Sequence, residues 1–281
     1  MSSNEQRDND QAVYWNEEGG ARWVRHIDGV EAMLEPLSVR LLERVAAKSG
    51  DRVLDIGCGG GITSAAIARA VGASGQVTGL DVSKVILDIA RQRYGHVANL
   101  EFLLADAGEH GFAPGSYDLL TSRFGVMFFH DPHAAFAHLR RALKTSARLC
   151  LMCWRRLDEN PWMDLAAAAA FTVLPPPPKP APGAPGPFSF AKREWVTDIL
   201  AAAGFGEIEF EAVDRPMALG SVDDALEWLT NMGPAAQPFR EASESERRAT
   251  QAAMRKALEE AAIDRRVVLN GATWVVSAKV V

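Results

Sequence analysis

The stretch "VLDIGCGGG", Val53 to Gly61, decides the fold. An apolar run carrying one carboxylate, Asp55, passes straight into glycines, as a buried strand does when it ends in a tight turn. The next residues, "ITSAAIARAV", have helical spacing, so the free N–H groups of a helix start are aimed at that turn. Strand, glycine turn and helix form the opening unit of an open α/β sheet. Ligands of such sheets gather at the carboxyl ends of the strands, near the point where strand order reverses.

Working outward, the alternation of short apolar runs with helical patterns continues from Asp51 to Trp154. Strands are expected at "RVLDI", "QVTGLD", "LEFLLAD", "YDLLTS" and "RLCLMCW", with helices at "KVILDIARQRY" and "HAAFAHLRRALK" between them. Later come a helix, "REWVTDILAAAGF", a strand around "IEFEAV", a charged helix from Ser243 to Ala262 and a last strand, "ATWVVSAKVV". Residues 1–48 are expected to form an N-terminal helical lid, two helices parted around Pro36, over a main domain of residues 49–281. Eight of the fifteen prolines fall between Pro175 and Pro187. That stretch reads as a semi-rigid insertion over one edge of the site or as a plain linker.

Bulk properties narrow the function. The 281 residues are 48% hydrophobic, enough for one large core without metals or disulfides. Thirty basic against 36 acidic residues give a net charge of −6, which argues against nucleic acid as a partner. Three cysteines are too few for a disulfide framework, the polar N-terminus does not read as a signal peptide, and no apolar run approaches a membrane span. A soluble, cytoplasmic protein is expected, monomer or homodimer.

The candidate site residues follow the strand ends. A dinucleotide fingerprint, G-x-G-x-x-G, would need a third glycine at position 62, which is Ile62; the spacing here is G-x-G-x-G, at Gly57, Gly59 and Gly61. Asp81 closes the second strand, where a carboxylate can accept from two ribose hydroxyls, and Asp106 closes the third, within reach of an adenine amino group. Each also reads as a helix cap. The fourth strand runs into "SRFGVMFF", placing Arg123, Phe124, Met127 and Phe128 where an acceptor would sit. Arg123 suits an acidic substrate group or an ion pair with a neighbouring acid. His130 is the first candidate base, with His133 beside it and His26 on the lid as others. Cys150 and Cys153, three apart on a strand, point to opposite faces and do not read as a metal or redox pair; no metal site is expected.

The G-x-G-x-G turn behind Asp55 resembles motif I of class I S-adenosylmethionine-dependent methyltransferases. With "YWN", "GGARWVRH", "GLDVS", "LADAGE", "SRFGVMFFHDPHAAFAHLRRALK" and "CWRRLDENPWM", nearly the whole chain resembles the UbiE-like, small-molecule branch of that family, the ubiquinone and menaquinone biosynthesis type. The resemblance implies a doubly wound, seven-stranded, mostly parallel Rossmann-like sheet with its last strand antiparallel. It implies S-adenosylmethionine as cofactor, S-adenosylhomocysteine as product, and cofactor contacts at Asp55, Gly57, Cys58, Gly59, Asp81, Val82, Asp106, Ala107 and Ser122. The aromatic N-terminal segment, with Trp15 and Trp23, would close over the pocket. No [N/D]-P-P-[Y/F] tetrapeptide follows the fourth strand, which disfavours an adenine or glutamine amide acceptor, and "KTSARL" replaces the usual K-P-G-G-R-L turn. The expected activity is methyl transfer to carbon or oxygen of a small, partly apolar acceptor, aromatic, quinol-like or polyketide-like. The competing readings are a catalytically inactive cofactor-binding regulator or scaffold, and an NAD-dependent oxidoreductase.

Overall fold

The computed structural model describes residues 13–181 and 183–281; expectations that fall on residues 1–12 and on Pro182 lie outside the described residues. One seven-stranded sheet runs through the molecule in the order β3-β2-β1-β4-β5-β7-β6. Its strands are β1 (Arg52–Ile56), β2 (Gln76–Asp81), β3 (Leu100–Leu104), β4 (Tyr117–Arg123), β5 (Leu143–Trp154), β6 (Phe205–Ser221) and β7 (Arg266–Val280). The first five pair in parallel, and β7 runs antiparallel to both β5 and β6. The order reverses between β1 and β4, so the turn after β1 opens at the switch point where an α/β sheet leaves room for a ligand.

The parallel strands are buried on both faces, as their near-continuous apolar sequences require: Val53, Leu54, Leu119, Leu120, Leu149 and Leu151 have at most 1% of their surface exposed. Helices α2 (Ile62–Val71), α3 (Lys84–Tyr94) and α4 (Pro132–Ala142) connect them. Starts are set by side chains: Ser83 accepts from the backbone N–H of Ile86 and Asp131 from that of Ala134, with Pro132 at the first helical position.

Three local expectations are corrected. Pro36 does not divide two helices; it lies inside a single 28-residue helix, α1 (Glu18–Val45). Proline removes one backbone bond, but Val30, Met33, Leu34, Leu37, Leu41 and Val45 on one stripe of α1 all join the main core, and that burial outweighs the lost bond. The third strand stops at Leu104, before Asp106. The helix expected to run to Lys144 ends at Ala142 and the fifth strand starts at Leu143, not at Arg148: Tyr117 lies opposite Leu143 and Leu119 opposite Arg148, so "KTSARL" enters β5 through a register shift.

The helices expected at "REWVTDILAAAGF" and from Ser243 to Ala262 are present as α6 (Arg193–Ala202) and α9 (Glu244–Ala261), whereas α5 (Pro161–Ala170), α7 (Val222–Met232) and α8 (Ala236–Glu241) were not foreseen; α7, α8 and α9 fill the connection from β6 to β7. The flanking strands pair from Phe205 with Val280 to Ser221 with Arg266. Serine boxes start both longer helices, Ser221 with Asp224 and Ser243 with Glu246.

Candidate active site

The turn after β1 is built for close approach. Gly57, Gly59 and Gly61 all have positive φ, at 64°, 56° and 81°. A Cβ on Gly57 would stand 2.7 Å from Cα of Gly125, so the end of β1 and the loop after β4 touch through bare backbone. Ser122 holds them in place: its hydroxyl donates to the carbonyl of Ile56 at 2.7 Å and accepts from the N–H groups of Gly125 and Val126. Phe124, between them, sits at φ 68°, a conformation that costs a bulky side chain energy and marks a constrained site.

Asp55 serves the same turn from beneath. It is 1% exposed, and its carboxylate accepts from the hydroxyls of Ser64 at 2.6 Å and Thr63 at 3.1 Å, tying β1 to the start of α2. Burial pushes its pKa up to about 6, against the pull of those two hydroxyls and of Arg123. Asp81 faces the other way. One oxygen accepts from the N–H of Gly59 and the other from that of Ser83, both at 2.9 Å; burial raises its pKa despite these bonds.

Above the turn lies one cavity of ≈ 820 Å³. That is within the ~300–1,000 Å³ typical of small-molecule sites. Its wall includes Gly57, Gly59, Asp81, Val82, Asp106 and Ala107 from the cofactor residues expected from sequence, with Arg123, Phe124, Met127, Phe128, Trp15, Trp23 and His130. Asp106 directs one carboxylate oxygen to the N–H of Gly108 at 2.7 Å. Asp55, Cys58 and Ser122 do not line the cavity; all three lie buried behind its wall and shape the turn instead. His26 is also outside the wall, and its buried Nε2 has no hydrogen-bond partner among the described residues. His133 is spent on the surface, its Nε2 3.0 Å from a carboxylate oxygen of Asp198.

The N-terminal segment is stapled beside Asp81. The hydroxyl of Ser83 donates to the carbonyl of Trp15 at 2.6 Å, and Asn16 bonds both the carbonyl of Val82 and the N–H of Lys84 at 2.8 Å. Trp15 packs edge-on against Trp23 and Phe128. Further along, Arg93 of α3 pairs with Asp28 and Glu31 of α1, which fixes the long helix across the sheet. The proline-rich stretch closes another side: Pro185, Gly186 and Pro187 reach the cavity, where the N–H of Gly186 and the hydroxyl of Ser189 both donate to the carbonyl of Met127.

Sequence reasoning missed the far wall. Phe124 stacks on Trp154 with centroids 4.2 Å apart, Trp154 meets Trp162 at 5.0 Å, and Trp162 meets Trp228 at 5.3 Å. Met163, Met232 and Gln237 complete this side. Trp162 lies in the stretch "CWRRLDENPWM" that carries the family resemblance; Trp228, Met232 and Gln237 carried no sequence signal, because they come from the β6–β7 insertion.

The turn fits an adenosyl sulfonium better than a pyrophosphate. Ile62 takes the place of the third glycine, the strand-end acids Asp81 and Asp106 are offered to the cavity, and Arg123 is the one arginine or lysine among its described lining residues.

Comparison with known proteins agrees. Residues 53–146 match the model of a methyltransferase domain. Over 105 residues, 37% of this chain, the sequence is 31% identical to the demethylmenaquinone methyltransferase of Staphylococcus aureus. The match covers 44% of that enzyme, so the chain spans less than half the length of the curated relatives it matches. The YcgJ protein of Bacillus subtilis shares the fold with a TM-score of 0.56 at 17% identity, over 86% of this chain and 97% of its own. Phosphoethanolamine N-methyltransferase 2 of Haemonchus contortus, bound to phosphomonomethylethanolamine and S-adenosylhomocysteine, gives 0.57 at 19% identity, over 98% of this chain and 59% of its own.

Proposed function

We propose, from the premise that residues 53–146 match a methyltransferase domain, that the whole chain is a class I S-adenosylmethionine-dependent enzyme that moves a methyl group to carbon or oxygen of a small, partly apolar acceptor. One observation carries the reading: the glycine turn, the acids Asp81 and Asp106 and the aromatic wall open on a single continuous cavity. It has room for donor and acceptor side by side.

Gly57 and Gly59 would support the methionine end of the cofactor, Asp81 its ribose hydroxyls, Val82 and Ala107 the faces of its base, and Asp106 the adenine amino group. The bound cofactor supplies an electrophilic methyl on a positively charged sulfur. The chain's own contribution is alignment and exclusion of water: Trp15, Trp23 and Phe128 cover the opening, and Phe124 and Met127 line the side where the acceptor meets the methyl. His130 lies in the wall and is the proposed acceptor of a proton from an acceptor that arrives protonated.

Calorimetric titration of the purified chain with S-adenosylmethionine, S-adenosylhomocysteine and NAD tests the cofactor. The reading requires binding of both sulfur nucleosides and none of NAD; binding of NAD alone overturns it. Turnover against phenols, quinols and polyketide-like acceptors then separates an enzyme from an inactive binding protein.

A further inference from the structure

Arg123 lines the cavity and makes no direct ion pair there, although the carboxylates of Glu31 and Asp55 lie near enough to favour its charge. Its Nη1 donates to the hydroxyl of Ser38 at 2.5 Å, a neutral partner, and among the described residues it makes no ion pair within 4 Å. Arg40, Arg93, Arg148 and Arg155, in contrast, each lie against a carboxylate. Glu31 gives one oxygen to Arg93, and Asp55 accepts from Ser64 and Thr63, so neither carboxylate bonds the guanidinium of Arg123 directly. A guanidinium taken out of bulk water with one neutral hydrogen bond is costly unless an anion completes it.

Its place in the sheet says whose anion. Asp81 and Asp106 follow β2 and β3, on one side of β1; Arg123 ends β4, on the other. The residue after it, Phe124, begins the ring series that passes through Trp154 and Trp162 to Trp228. The cavity thus has a long aromatic wall with Arg123, the one arginine or lysine among its described lining residues, at the start of that wall.

We infer that the acceptor is a flat aromatic or polyunsaturated acid, its rings laid along the Phe124–Trp228 wall and its carboxylate held by the guanidinium of Arg123. This deepens the methyltransferase reading and rests on it. Ser38 is a positioning residue that orients the guanidinium.

The probes are 2-naphthoate and its neutral isostere 2-naphthamide, titrated by tryptophan fluorescence into the full chain saturated with S-adenosylhomocysteine. The wild-type protein is expected to prefer the acid by about tenfold, the worth of a charge-assisted bond in a shielded site. Arg123→Gln should erase that preference while 2-naphthamide and S-adenosylhomocysteine bind within about twofold of wild type, and Arg123→Lys should restore part of it. Equal affinity for the two probes, or binding of neither, overturns the inference. So does an Arg123→Gln chain that loses S-adenosylhomocysteine but not 5′-methylthioadenosine, since the guanidinium would then serve the cofactor's own carboxylate. Should the wild-type chain bind no S-adenosylhomocysteine, the methyltransferase reading itself has failed, a result distinct from any of these.

Discussion

The two halves of the cavity are made in different ways. The half proposed for the donor is backbone and hydrogen bonds: three positive-φ glycines, N–H groups from Gly59, Ser83 and Gly108, and two carboxylates, all within Val53–Gly108. The half proposed for the acceptor is side-chain surface: Phe124, Trp154, Trp162, Pro185 and Trp228, drawn from five separate stretches over more than one hundred residues. Polar geometry tolerates little change and leaves its mark in a short motif. Apolar surface can be assembled from any part of the chain that packs there, and leaves no motif at all.

The contrast breaks most easily at Gly57. Gly57→Ala brings a methyl group to 2.7 Å from the backbone of Gly125 at a φ that L-residues avoid, whereas the same change at Gly59 meets nothing within 4 Å. Gly57→Ala is expected to cost about 3 kcal/mol, lowering the melting midpoint by roughly 10 °C, and Gly59→Ala about 1 kcal/mol. Equal thermal shifts for the two would show that the β1–β4 backbone contact is not what fixes the turn.

Asp81 comes next. Asp81→Asn removes the charge offered to the ribose and weakens one of two turn bonds, so S-adenosylhomocysteine affinity should fall about 10- to 100-fold by calorimetry. Binding of 2-naphthamide should stay within about twofold; a parallel loss would mean the halves are coupled rather than separately built.

Asp55 predicts a pH effect on folding alone. Its folded pKa, pushed up to about 6 from 3.8, means that the folded state holds a proton the unfolded chain has released. The associated stability is present below about pH 4 and lost as pH rises through 6. Urea midpoints should show wild type losing about 1–2 kcal/mol relative to Asp55→Asn between pH 5 and 7.5. Superimposable pH profiles would place the proton elsewhere.

The smallest effect belongs to the aromatic wall. Trp228→Phe keeps a ring but shortens its reach toward Trp162, and should weaken 2-naphthoate about threefold with S-adenosylhomocysteine unchanged.

This division also explains how the sequence could be read. The sheet and the switch-point turn were legible because each is a local pattern, as was the placing of Asp81 and Asp106 at the cavity wall. Asp55, Cys58 and Ser122 were in the right motif but in supporting positions, a distinction that depends on which side of the strand end a side chain takes. Pro36 misled because local backbone chemistry was weighed without the apolar stripe from Val30 to Val45 that pins the helix. Trp228 was invisible for a different reason: nothing near it in sequence resembles a site, and only the pairing of β6 with β7 brings α7 over the cavity.

That pairing has a consequence of its own. Because the ladder closes on itself from Ser221 to Arg266, the chain leaves the sheet and returns to it at one point. The entropy of closing the intervening loop grows only slowly with its length, so what hangs between these two anchors behaves as an exchangeable cassette. Helices of another length or composition inserted there would recut the acceptor wall while the methyl-donor turn, several strands away, kept its shape. On the proposed reading, a lineage carrying this scaffold can change its acceptor without relearning how to hold the donor.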